Sequence, residues 1–248
     1  MARKNVSVLV SGAGWIGGLI DSLIKELRQA GVPDEDIHQL VVADNGELRE
    51  RLVATFVAEI RRSKGGVDNA LGSKLQWFEK FFQDSFSIRK DFSDLWIPPH
   101  QDGFDRLLVM AEGMRPGRLF EKASSLFNCW PYSGNLDNIF SERKTNRDYA
   151  VWVRDAVEAD EDMRGKSAFQ ILAEQFTTET LEERILHELV FHAETKEHLD
   201  ITSWTYCAGS RHPDGNVPCG SCSRGGFGFS PCDPGNAADP LRARVVVC

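Results

Sequence analysis

The stretch 205–248 constrains this chain most, through what it lacks: it contains no Lys, Glu, Gln, Met, Trp or Ile. The same stretch carries five of the six cysteines, half of the prolines and a third of the glycines, with only 4 basic and 3 acidic residues. A Gly/Pro-rich run with so few long side chains reads as irregular backbone, and it is too long to be an ordinary connecting loop. The whole chain of 248 residues has a net charge of −8, so its acidity lies upstream. That balance argues against the basic footprint of a nucleic-acid binder. Hydrophobic residues at 42% and charged residues at 27% are those of a globular chain with a core, not of a disordered, collagenous or membrane-spanning one.

Residues 1–20 imitate a signal peptide, because Arg3 and Lys4 precede an uncharged run. Gly12, Gly14, Gly17 and Gly18 interrupt that run and no A-x-A site follows, so a strand and turn are expected there and no disulfide framework is assumed. Periodicity then predicts strands at 6–10 and 104–111 and helices at 16–30, 47–62, 69–86 and 116–127. The segment 37–42 reads as a strand or a helical turn. In the 69–86 segment Leu71, Leu75, Phe78 and Phe82 form an apolar stripe, read as a core face rather than a cofactor box. A mostly buried strand is expected at 149–153 and a short helix at 167–175. A stronger helix at 181–195 is announced by the capping box Thr180-x-x-Glu183. Strand-like runs follow at 201–207 and 241–247.

Three motifs invite a chemical reading. Gly12-x-Gly14-x-x-Gly17 lies between a predicted strand and helix, with Asp44 at the end of a second apolar run, as in dinucleotide-binding turns. It would make the chain an NAD(P)-binding oxidoreductase, but the segment 47–86 offers helices where further βα units are needed, and no Tyr-x-x-x-Lys follows. His187 and His192 are five residues apart, about 140° around a helix, so they do not face one metal ion. Glu183 and His187 have helical spacing but read as a solvated contact. Cys207, Cys219, Cys222 and Cys232 contain a Cys-x-x-Cys knuckle and loosely resemble the zinc loop of seven-cyano-deazaguanine synthases. The N-terminal nucleotide loop of that family is absent, and the spacing is not that of a zinc ribbon. No Ser or Cys nucleophile with a partnered His and acid is apparent.

Ordered blocks in the remaining sequence carry a stronger resemblance. They are Gly103-Phe-Asp-Arg-Leu-Leu-Val, Tyr149-Ala-Val-Trp-Val-Arg-Asp, His198-Leu-Asp, Cys207-Ala-Gly-Ser-Arg, Asp214-Gly-Asn-Val-Pro and Leu241-Arg-Ala-Arg-Val-Val-Val. Together they resemble the variable proteins of diversity-generating retroelements, from about residue 91 onward. The resemblance implies an α+β chain: a C-type lectin-like domain at 91–248, with a variable region at about 205–248, behind an N-terminal α/β or helical extension at 1–90. It also implies a noncatalytic ligand-binding display protein rather than an enzyme, whose C-terminal surface is diversified by adenine mutagenesis of its codons. Mutated Asn codons cannot yield Lys, Glu, Gln, Met or Trp, five of the six types missing from 205–248.

Core volume changes destabilise by about 2–5 kcal/mol for large-to-small swaps, so variable positions are expected to point outward from a backbone fixed elsewhere. The scaffold is expected from 149–153, 181–195 and 241–247, with Arg211, Val217, Pro218 and Pro234 setting the loop path. The expected ligand-binding surface consists of His212, Asp214, Asn216, Cys219, Ser221, Cys222, Ser223, Gly225, Phe227, Phe229, Ser230, Cys232, Gly235, Asn236, Ala238 and Asp239. Phe227 and Phe229 read either as target anchors or as buried residues of a hairpin. The resemblance implies a macromolecular target, a protein, with no nucleic-acid partner, no membrane span, no cofactor and no metal. It implies a cytoplasmic or virion-associated location, and leaves the oligomeric state open. The lack of Trp and Tyr beyond Tyr206 implies weak binding by this copy, since aromatic residues dominate binding hot spots.

Overall fold

The computed structural model describes residues 69–130, 134–223 and 225–248, with scattered positions between 24 and 55. The chain divides into two compact units, Met1–Ser63 and Lys64–Cys248, whereas the sequence reading put the division at residue 90. In the first unit positions 24, 25, 27 and 28 are helical, as expected for 16–30, and Arg28 pairs with Asp34 at 2.6 Å. The strand at 6–10, the Gly12–Gly17 turn, Asp44 and the segment 37–42 lie outside the described residues, as does nearly all of the 47–62 helix.

The second unit is α+β. Among its described residues it opens with helix α1 (Asn69–Phe86), which buries Leu75, Phe78 and Phe82 of the predicted stripe, leaves Leu71 half-buried, and buries Phe81 in addition. Strands β1 (Arg106–Met110) and β3 (Tyr149–Val153) are nearly wholly apolar because both faces are covered, and they pair antiparallel with Val109 opposite Ala150. Between them come α2 (Pro116–Leu126), started by its own proline, and the short strand β2 (Phe140–Ser141). Helix α3 (Ala168–Ala173) is capped by Ser167 and Gln170, and α4 (Leu181–Thr195) by Thr180 and Glu183 in a complete capping box. Helices α2 and α4 pack together, and α1 and α4 both lie on β1.

The C-terminal stretch departs from the irregular backbone that its composition predicts. It forms β4 (Trp204–Tyr206), β5 (Ser210–Arg211), β6 (Val217–Ser223), β7 (Gly226–Cys232), β8 (Leu241–Ala243) and β9 (Val246–Val247). β5 pairs with β2, and β9 joins β3 at the edge of the first sheet. The others make a four-stranded sheet in the order β7-β6-β4-β8, antiparallel except for β4 beside β8. The apolar run 241–247 is thus shared between two sheets, broken at Arg244 and Val245. Small residues suit this sheet because it is covered on both faces. One face, with Gly220, Cys222, Phe227 and Phe229, joins the main core; the other, with Tyr206, Val217, Cys219 and Ala243, packs on Met163, Ala168 and Ile171.

Buried charges tie helices to sheet. Asp200 takes a left-handed backbone conformation (φ 55°), tolerated by Asp better than by most residues. Its carboxylate accepts Arg184 Nε at 2.8 Å, Arg244 Nη2 at 2.6 Å and Thr205 Oγ1 at 2.5 Å, and its carbonyl accepts Cys222 N at 3.1 Å. Arg184 also donates to Glu188 at 3.0 Å and lies 5.2 Å from the centre of the Phe227 ring. Arg244 donates to the carbonyls of Ala156 and Val157. Two arginines thus face two acids without net buried charge. Burial alone would raise the Asp200 carboxyl, but Arg244 and Arg184 outweigh it and hold the group below its ordinary range.

Beside this network Glu179 Oε1 lies 2.7 Å from His187 Nδ1, both side chains fully buried. The expected solvated Glu183–His187 contact is therefore not formed: Glu183 pairs with Arg143 at 2.6 Å and closes the helix cap, while His187 turns to Glu179. Burial pushes Glu179 up to about 8 against the pull of Arg244 and Arg184, and drives the His187 imidazole well below its usual value.

Two outcomes follow. Asp200→Ala strands two buried arginines and is expected to cost about 3–5 kcal/mol, read as a lowered urea midpoint with unchanged slope. A raised carboxyl contributes stability below its unfolded value that is lost as pH rises through its folded one. Glu179→Gln should therefore gain on the wild type as pH rises from 5 to 8, by at most about 1.4 kcal/mol per unit. A pH-independent difference between the two would contradict a raised Glu179.

Candidate functional site

The sixteen residues expected at the binding surface separate into three groups. Asp214, Gly225, Ser230, Gly235, Asn236, Ala238 and Asp239 are exposed; Asn216, Ser223 and Cys232 are half-buried. His212, Cys219, Ser221, Cys222, Phe227 and Phe229 are buried, contrary to expectation: the β6–β7 hairpin, although β7 is an edge strand, is covered on both faces and is not a surface loop, and His212 opens the turn that leads into β6. Phe227 and Phe229 are buried hairpin residues, their rings 5.1 Å apart and packed against Phe120 of α2.

The glycines of Gly226-Phe227-Gly228-Phe229 face the other way, beneath Trp130. The indole Nε1–H donates to Gly226 O at 3.0 Å, and Trp130 N donates to Phe227 O at 2.8 Å. A Cβ on Gly228 would fall 2.8 Å from Trp130 Cβ, so only glycine permits this approach. Cys219 of β6 is disulfide-bonded to Cys232 of β7, with their Cα atoms 6.1 Å apart. A cross-link over 13 residues stabilises by about 3 kcal/mol in the chain-entropy account. It takes two cysteines away from the zinc-loop arrangement; Cys207 is buried separately in the core.

Exposed backbone remains in two turns and one longer segment. Asp214 forms the first turn by accepting Asn216 N at 3.0 Å, a bond that holds its carboxyl below the ordinary range. Gly225, at φ 77°, lies in the second. The segment 233–240 has no regular structure, yet its path is fixed from outside. Tyr206 Oη donates to the carbonyls of Asp233 (2.5 Å) and Asn236 (3.2 Å), and Phe169 N to that of Pro234 (3.3 Å). Arg164 grips Asp239 with two bonds of 2.7 Å. Asp233 and Asn236 fold back on Gly235 N and Ala238 N, which leaves Ala237 and Ala238 exposed without side-chain duties.

Phe169 is 60% exposed and flanks Gly235; Leu172, on the same helix, is 61% exposed and Phe176, just beyond its end, 38%. Leu172 and Phe176 also line a cleft of about 350 Å³ with Ala168, Ile171 and Thr178. The aromatic residues lacking in 207–248 outside the buried Phe pair are thus supplied from upstream. Composition of the tail alone could not reveal them; the exposed positions of a six-residue helix were the missed signal.

A second group of functional types gathers where α4 ends. His198 Nδ1 lies 2.7 Å from Glu188 Oε1, while Glu188 Oε2 accepts Arg184 and, at 3.4 Å, Leu199 N. A nitrogen of His198, an oxygen of Glu188 and Cys222 Sγ all lie within 4.8 Å of one another. His192 stacks on His198 at 4.8 Å, and Phe127 meets both rings edge-on at 4.9 Å. As the spacing predicts, His187 and His192 do not converge: one is bonded to Glu179, the other stacked on His198. Burial pushes the Cys222 thiol up to about 11, reinforced by Glu188, and raises the Cys129 thiol.

Among the described residues no helix is long and apolar enough to cross a membrane. No family model, curated protein or solved structure matches the chain.

Proposed function

We propose that this chain is a noncatalytic ligand-binding protein, a C-type lectin-like domain that displays a retroelement-diversified C-terminal surface to a macromolecular target, itself a protein. The reading rests on one observation: the segment 233–240 is largely exposed, and its path is set by Tyr206 and Phe169 on its backbone and by Arg164 on the Asp239 carboxylate, which leaves the Ala237 and Ala238 side chains without a structural bond. Side chains at such positions can change with little effect on the fold. The exposed Phe169, Leu172 and Phe176 give a target the apolar contact that small tail residues do not.

The surface in this reading is smaller than the sequence implied. Buried His212, Cys219, Ser221, Cys222, Phe227 and Phe229 belong to the frame and Asp239 is tied to Arg164; the display set becomes Asp214, Asn216, Ser223, Gly225, Ser230, Gly235, Asn236 and Ala238, with Ala237 added.

A library randomised at Ser230, Ala237 and Ala238 tests this. Most members are expected to unfold within about 0.5 kcal/mol of the wild type, whereas Gly228→Val, driven into Trp130, should lose about 1–3 kcal/mol. General unfolding of the library would defeat the reading. In the adjoining DNA, a near-copy of the coding tail differing at adenines, beside a reverse-transcriptase gene, is expected; its absence removes the diversification part alone.

A further inference from the structure

We propose that Glu188, His198 and Cys222, with Cys129 beside them, bind a thiophilic divalent cation of the zinc type. Three separate elements bring these groups together. Glu188 comes from the last turns of α4, His198 from the chain just beyond that helix, and Cys222 from the end of β6. Their ligand atoms lie within 4.8 Å of one another. In tetrahedral zinc sites metal–ligand bonds of about 2.0–2.3 Å put the ligand atoms roughly 3.3–3.8 Å apart. Small side-chain rotations close the difference.

The donor chemistry selects the ion. A thiolate, an imidazole and one carboxylate match zinc and its neighbours, whereas magnesium and calcium require several oxygen donors. The surroundings hold the donors in place. Arg184 bonds Glu188 Oε2 and is itself held by Asp200, while Phe127 and His192 pack on the His198 ring. Such outer contacts orient metal ligands.

Cys129 flanks the site: its backbone bridges Phe227, the residue paired with Cys222 across the β6–β7 ladder, but its thiol is not among the three groups whose ligand atoms converge, so the fourth position is left open. Cys129 is half-buried and His198 is 28% exposed, so an ion can enter from that side. The display reading makes no use of these residues, and each can fail without the other. A metal role takes Cys222 out of the diversified set.

Cobalt(II) titration of the full chain under reducing conditions provides the test. One cobalt per chain should give a near-ultraviolet sulfur-to-cobalt band with visible tetrahedral absorption, and zinc should displace it. Cys222→Ser should abolish the sulfur band, His198→Ala should weaken binding more than tenfold, and Cys129→Ser should leave the band in place. The double variant Cys219→Ser/Cys232→Ser should keep the full spectrum, which excludes the reduced disulfide as the source. Absence of saturable binding at micromolar cobalt, or a spectrum unchanged by Cys222→Ser, would overturn the site. X-ray absorption of the zinc-loaded wild type needs no variant: a mixed sulfur and nitrogen/oxygen shell is expected, and a shell of either kind alone contradicts it.

Discussion

The clasp of Asp200 between Arg184 and Arg244 is the interaction on which the rest of this unit depends. Arg184 belongs to α4, Arg244 to the break between β8 and β9, and Thr205 to β4, so one carboxylate joins the most deeply buried helix to the four-stranded sheet and to the link that leads from it into β9. The Asp200 carbonyl adds β6 through Cys222 N. Inside a protein such charges are costly unless paired and hydrogen-bonded; here each is paired, although Arg184 Nη2 faces Asp200 at 2.8 Å without a well-directed hydrogen bond. The geometry is therefore specific: an element out of place leaves a guanidinium without its acid. Phe227, beneath Arg184, extends the same constraint to β7.

That arrangement separates two roles within the C-terminal stretch. Strands β4, β6, β7 and β8 are fixed between two apolar clusters, and Gly220, Gly226 and Gly228 are there because Phe229 and Trp130 press on them. The segment 233–240, by contrast, takes its path from hydrogen bonds made to its backbone by Tyr206 and Phe169 and from the Asp233, Asn236 and Asp239 side chains, not from packing. An identical scarcity of long side chains has opposite causes in the two places: close packing in the hairpin, and open surface beyond it.

Much of the upstream fold was legible in the sequence. The stripe of α1 and the capping box of α4 fixed the ends of those helices, and the unbroken apolar run of β3 announced a strand covered on both faces. The hairpin was legible only as one of two readings of Phe227 and Phe229, because what decides between them is Trp130, far upstream, which covers the alternating glycines. Cysteine pairing cannot be read from spacing alone, and neither could the meeting of Glu188, His198 and Cys222, which three different elements contribute. His198 and Asp200 stood together in one sequence block, but Glu188, the partner of His198, and Arg184 and Arg244, the partners of Asp200, lie on either side of it, joined only through the fold. Of the display surface, the segment beyond β7 was correctly expected to be exposed; its apolar flank on α3 was hidden in an ordinary helical pattern.

The central claim is that a frame locked at Asp200 carries a segment whose side chains are dispensable to it. Amide hydrogen exchange tests this most directly, on a variant in which Ser230, Gly235, Ala237 and Ala238 are all replaced at once. Unchanged protection through α4, β4 and β6, with altered exchange confined to 230–240, is the predicted result. Loss of protection in α4 would show that the segment helps to hold the frame, and would contradict the account.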